Sequence, residues 1–210
     1  MKWNDLEKPW QIALELAWES FKSGSLPIAA LIVDMGGNVV STGRNRILEG
    51  QLKNRNMAHA EMDALMNFDY DAHPEVRSYC MYTTLEPCPM CMGTIVMSDV
   101  RRVRIATRDP WAGAVDMCQL PYVASKNMDV AFEEGIMPRI LTVLYLYKLW
   151  EGYANRVRSK DFLVVLEEHF PVETALARDL LDKNVLRKFA DDGVKIEDVY
   201  NHIQNHIEGK

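Results

Sequence analysis

Thr84-Leu85-Glu86-Pro87-Cys88-Pro89-Met90-Cys91 is the stretch on which the reading of this chain turns. It continues a strand-like run, Tyr79-Cys80-Met81-Tyr82-Thr83-Thr84, and Pro89 suits the first turn of a helix over 89–97. A Cys-x-x-Cys pair at a helix N-terminus sits where oriented backbone amides favour thiolate over thiol. Upstream stands Ala58-His59-Ala60-Glu61. Zinc takes borderline-soft ligands in a tetrahedral array, so His59, Cys88 and Cys91 supply three ligands for one ion. Structural zinc sites close with four protein ligands, whereas catalytic sites keep the fourth place for water. The count points to chemistry, and Glu61, two residues from the histidine, has the task of shuttling that water's proton. A lone Cys-x-x-Cys would serve redox or structural duty equally well. Neither Cys80 nor Cys118 is spaced as a fourth ligand, and both read as plain buried thiols.

Trp10, Leu14, Ala17, Trp18 and Phe21 make one apolar stripe on a helix expected over 9–21, with Pro9 at its start and Gly24 at its stop. The early tryptophans read as core. Apolar runs over 26–33 and 39–43, split by Asp34-Met35-Gly36-Gly37-Asn38, read as a β-hairpin. A helix is expected over 57–68, and strands over 79–84, 100–106 and 128–132. From Pro138 onward the pattern is helical, as in Leu176, Leu180 and Leu181 followed by Val185, Leu186 and Phe189. Strands alternating with helices predict an α/β fold with a three-layer α-β-α core over 1–137 and a helical extension over 138–210.

Composition narrows the function classes. The chain has 210 residues, 48% hydrophobic and 26% charged, which fits one globular domain with an appendage and rules out disorder as its main state. No run reaches the ~18 apolar residues of a membrane span, and the first residues lack the apolar stretch of a secretory signal. Four cysteines without an export signal favour a reducing compartment, so a cytoplasmic location is expected. The net charge is −6, and most of the acidic excess lies in 161–210, which holds 6 basic and 11 acidic side chains. That field opposes nucleic acid, although a local basic patch could act against it. Arg101, Arg102, Arg104 and Arg108 cluster on one strand and read as a solvated face. His202 and His206, four apart, read as a solvated tail rather than a metal pair, and His73 and His169 as loop residues.

His-x-Glu followed downstream by Pro-Cys-x-x-Cys resembles the signature of the zinc-dependent cytidine deaminase-like superfamily. Residues 84–98 resemble the metal helix of the branch that holds tRNA adenosine, guanine and yeast-type cytosine deaminases. Residues 26–45 resemble that family's opening hairpin, and Arg108-Asp109-Pro110-Trp111-Ala112-Gly113 its loop after the fourth strand. The resemblance covers roughly 10–137 and implies a mixed sheet of about five strands. It also implies one zinc ion per chain on His59, Cys88 and Cys91, and Glu61 as proton shuttle. Asn45 would contact the base or sugar, main-chain groups of Ala58 and Pro87 would border the pocket, and Asp109 and Trp111 would stand near its mouth. Hydrolytic deamination of a free nucleobase or nucleoside is the implied activity, with a homodimer as the implied assembly.

Adenosine deamination on tRNA is the alternative, because tRNA-acting members carry a basic helix near Arg156, Arg158 and Lys160. The long acidic segment beyond departs from their pattern. A non-catalytic interaction module has no need of Glu61, and a nucleic-acid-binding regulator is disfavoured by charge.

Overall fold

The computed structural model describes residues 2–50, 52–152 and 160–209. Strands β1 (Ala29–Val33), β2 (Val39–Arg44), β3 (Cys80–Leu85), β4 (Arg102–Thr107) and β5 (Asp129–Phe132) form one sheet in the order β2-β1-β3-β4-β5. β1 runs antiparallel to both β2 and β3, while β3, β4 and β5 are mutually parallel, giving the mixed sheet the resemblance implies. The hairpin closes because Asp34 folds its turn onto itself. Its Oδ1 accepts the Gly36 and Asn38 N–H groups at 2.8 Å each, and Gly37 adopts φ +82°.

Alternation along the strands divides the core between two faces. Leu31 and Val33 of β1 pack against Trp10, Leu14, Trp18 and Phe21 of helix α1 (Lys8–Lys22). Ile32, Met81, Val103 and Ile105 face the other way, toward the layer formed by α2 (Ala60–Met66) and α3 (Pro89–Met97), where Ile95 meets them. A short helix, α4 (Pro121–Ala124), leads into β5, and α5 (Ile136–Glu151) lies on the α1 side. The result is the expected three-layer α/β core.

Among the described residues four helices follow α5: α6 (Asp161–His169), α7 (Pro171–Asp182), α8 (Val185–Asp191) and α9 (Ile196–Ile207). Their buried Leu166, Leu180, Leu186 and Tyr200 join one hydrophobic cluster with α1 and α5. The N-terminal tryptophans dock them. Trp3 meets the Tyr200 ring edge-on at 5.6 Å, and Trp18 Nε1–H donates to the Val194 carbonyl at 2.9 Å. The solvated tail expected around His202 and His206 is therefore corrected. Ile196, Val199, Tyr200 and Ile203 recur at helical spacing, and α9 buries that stripe while Asp198, Asn201, Asn205 and His206 face out. His73 lies in a loop, as expected, half-buried with its ring over Phe68, whereas His169, expected in a loop, ends α6.

Two elements beside the site begin later than the sequence pattern suggests. The strand expected from Leu26 starts at Ala29, since Pro27 has no N–H for a ladder and the Ile28 N–H turns back to the Leu26 carbonyl at 2.8 Å. The helix expected from Met57 starts at Ala60, because His59 is extended at φ −81°, ψ 155°. Both shifts release residues to the site described next. Among the described residues no helix is long and apolar enough to cross a membrane. Arg156 and Arg158 lie outside the described residues.

Candidate active site

Strand register gathers four chain segments at one end of the sheet. Ala29 pairs with Arg44, Ala30 with Thr83, and Leu85 with Thr107. The start of β1, the end of β2 and the carboxyl ends of β3 and β4 therefore lie side by side, the usual place for a ligand crevice in such sheets. Asn45 follows β2, Cys88 follows β3, and Asp109 follows β4. Helix α2 reaches the same end because β2 has a glycine where the two cross. A Cβ on Gly43 would run into the backbone of Ala60 and Ala64. Ser41 fixes the crossing by donating its hydroxyl to the Ala64 carbonyl at 2.6 Å.

His59 is the N-cap residue of α2 and Cys88 that of α3, with Pro89 at the first helical position and Cys91 in the first turn. Both caps have extended backbones, which turns their side chains out of the helices and toward each other. His59 Nδ1 lies 3.7 Å from Cys88 Sγ and 3.5 Å from Cys91 Sγ. A tetrahedral zinc ion with bonds of ~2.3 Å to sulfur and ~2.0 Å to nitrogen separates its ligands by about 3.5–3.8 Å. The donor set thus fits zinc in type, number and spacing, and these three residues are positioned to bind one metal ion. Hydrogen bonding from Cys91 and His59 draws the Cys88 thiol down to about 4. The same bonding to Cys88 raises Cys91 and His59. A bound ion would displace the remaining protons.

Glu61 sits in the first turn of α2, 4% exposed. Strand alternation puts Thr83 on the face of β3 toward α2, and its hydroxyl stands 2.9 Å from Glu61 Oε1. Burial pushes the Glu61 carboxyl upward from its ordinary range. The carboxyl opens onto a cavity of about 210 Å³ that also receives His59 and Cys88. Asn45, only 1% exposed, Asp109 and Trp111 line the same cavity. Trp111 is 52% exposed, as suits the mouth. Ala58 and Pro87, expected to border the pocket, are not among the residues that line the cavity; the Ala58 carbonyl accepts Arg46 N–H at 2.9 Å and the Pro87 carbonyl accepts Ala114 N–H at 3.0 Å. Asp109 Oδ1 accepts the Trp111 and Ala112 N–H groups, and burial raises its carboxyl.

Several residues that build this site escape a sequence reading. Thr83 holds Glu61. Ser20 donates to the Asn45 carbonyl at 2.9 Å. Glu86 accepts the Asp109 N–H at 3.2 Å and the Val115 N–H at 3.3 Å, and Gly113 leaves room for that carboxylate. Leu26 and Ile28, freed by the late start of β1, form part of the apolar wall. Tyr145 of α5 and Phe162 and Leu166 of α6 form more of it. The signal that could have flagged Glu86 is its charge between a buried strand and Pro87. No comparable signal marks the apolar wall.

Comparison with known proteins agrees with this geometry. A family model for the cytidine and deoxycytidylate deaminase zinc-binding region matches residues 3–107. The chain belongs to that family. The match takes in His59, Glu61, Cys88 and Cys91 and stops before Asp109, Trp111 and the helices beyond α4. A tRNA-specific adenosine deaminase of Haemophilus influenzae is 33% identical over 114 residues, which is 52% of this chain and 62% of the relative. A cytosine deaminase of Candida albicans is 33% identical over 99 residues, 47% of this chain and 64% of the relative. The chain thus spans somewhat less than two thirds of the length of these relatives. A solved structure from a study of A-to-I editing by tRNA deaminases at the wobble position superposes with a TM-score of 0.51 at 27% identity. It covers 60% of this chain and 96% of that one.

Proposed function

We propose that the protein is a zinc-dependent hydrolytic deaminase of a free nucleobase or nucleoside, releasing ammonia. One observation carries the reading: a buried carboxyl, raised by burial, stands two residues from a metal ligand and opens into the cavity that His59 and Cys88 line. Family membership supports the same chemistry. When bound on His59, Cys88 and Cys91, zinc supplies the acidity that brings water from a pKa of 15.7 toward ~7.

The chain's own residues do the rest. Glu61 accepts a proton from the attacking water and passes it to the ring nitrogen, which makes the amino-bearing carbon electrophilic. A C–O bond forms at that carbon. Glu61 then takes the proton of the added hydroxyl and delivers it to the amine; the carbonyl forms as the C–N bond breaks, and ammonia leaves. A group that acts as base and then acid works best with a pKa near the working pH, and burial moves Glu61 in that direction. Thr83 fixes the carboxyl's orientation, and Asn45 and Asp109 offer polar contacts to the base.

Replacing Glu61 by Gln tests the assignment. The variant is expected to keep about one zinc per chain while ammonia release falls by about 10²–10⁴-fold. Near-wild-type turnover would overturn the role. A second reading, adenosine deamination on tRNA, is supported by the likeness to the Haemophilus influenzae relative.

We further propose that residues 1–137 carry the chemistry and 138–210 shape access to it. A reducing, cytoplasmic setting suits the paired thiols Cys88 and Cys91, which oxidation would close into a disulfide. A homodimer is expected through the face of α2 and α3, where Met66 and Met97 are exposed. Light scattering at twice the 24.1 kDa chain mass would bear this out, and a monomer mass would remove it.

A further inference from the structure

The cavity has two sides of different origin. Asp109 apart, its polar side comes from the region the family model matches, as do the apolar Leu26 and Ile28, whereas Tyr145, Phe162 and Leu166 lie well beyond residue 107. Phe162 and Leu166 are four apart on α6 and so share one face of it. That face is buried, with Phe162 8% exposed and Leu166 fully covered. The helix also carries Asp161, Glu167 and Glu168, and Asp161 and Glu168 are exposed. Arg178 of α7 pairs with Glu167 at 3.0 Å and ties the two helices together.

We propose that α5 and α6 supply the specificity wall of this pocket. Phe162, backed by Leu166 and flanked by Tyr145, closes the cavity around a single planar base and turns a polynucleotide away. Size supports this. A dry cavity of about 150 Å³ takes one benzene ring, so about 210 Å³ suits a base with its exocyclic groups. Charge supports it too. The net charge of −6 opposes the approach of a polyanion. The proposal deepens the deaminase reading and rests on it for the chemistry, though not for binding.

The test uses the zinc-loaded full chain as wild type, Phe162→Ala and Phe162→Leu. Each is titrated calorimetrically with cytosine, guanine and adenine, and with an RNA stem-loop presenting an unpaired adenosine. Ammonia release is followed in parallel. At least one free base is expected to bind the wild type. Phe162→Ala should weaken that binding by about tenfold, the scale of a lost aromatic contact to a base. Phe162→Leu, which keeps an apolar side chain, should weaken it less, with zinc content unchanged in both.

Unchanged base affinity in Phe162→Ala overturns the wall, as does failure of every free base to bind, or an RNA that binds more tightly than all of them. If Phe162→Ala loses its unfolding transition, Phe162→Leu decides, and unchanged affinity there overturns the wall. Bases that bind the wild type and lose affinity in the variants, without any ammonia release, support the wall and overturn the deaminase reading instead.

Discussion

His59, Cys88 and Cys91 place their ligand atoms within 4.8 Å of one another from two helix N-termini, whereas Tyr145, Phe162 and Leu166 approach the same cavity from helices near the other end of the chain. The first group is constrained by coordination chemistry. Only a few side chains ligate zinc, and the spacing must bring them to one point. The second is constrained by shape alone, and many apolar side chains would fill it. A site can therefore be rigid in its reacting groups and free to diverge in its walls. This is how one fold serves several substrates.

The largest effect that can break this contrast is at the metal end. Cys91→Ser exchanges a soft thiolate for a hydroxyl that seldom ligates zinc. Metal analysis should show loss of the ion, and ammonia release should drop by at least about a thousandfold. A variant that retains stoichiometric zinc and turnover would show that Cys91 is not a ligand, and the comparison would lose its fixed half. The wall variants are expected to change affinity in graded steps. An all-or-none loss at the metal end beside a graded one at Phe162 is the signature of the contrast.

The same distinction explains what was legible in the sequence. Cys88, Cys91, His59 and Glu61 were readable because their types are scarce and their spacing is local. The helices and strands of the core followed from period and from Pro and Gly punctuation, as at Pro89 and the Asp34–Asn38 turn. Three things were not readable. The extended backbone at His59 depends on the cap geometry that the site needs, and it overrides the helical pattern of the residues before it. The burial of α9 depends on Trp3 and Trp18, nearly the whole chain away in sequence. Phe162 reads as core in any helical window, and only tertiary packing makes it line a cavity as well.

Glu86 stands between the two regions and gives the smaller effect. Its two carboxylate oxygens accept the Asp109 and Val115 N–H groups, so it sets the loop that carries Asp109 and Trp111 to the cavity. It is a positioning residue. Glu86→Gln keeps the size of the side chain but replaces one acceptor oxygen with an NH₂ donor, leaving one backbone N–H unpaired at a cost of about 1–3 kcal/mol. The unfolding midpoint should fall by on the order of 5 °C. The loop should also wander from its aim, raising KM by about tenfold, the equivalent of 1.4 kcal/mol. Zinc content and kcat should change little, because the ligands and Glu61 are held by α2, α3 and Thr83 rather than by this loop. A fall in kcat with KM unchanged would place Glu86 with the reacting groups, and the boundary between the fixed and the variable side of the pocket would move to include it.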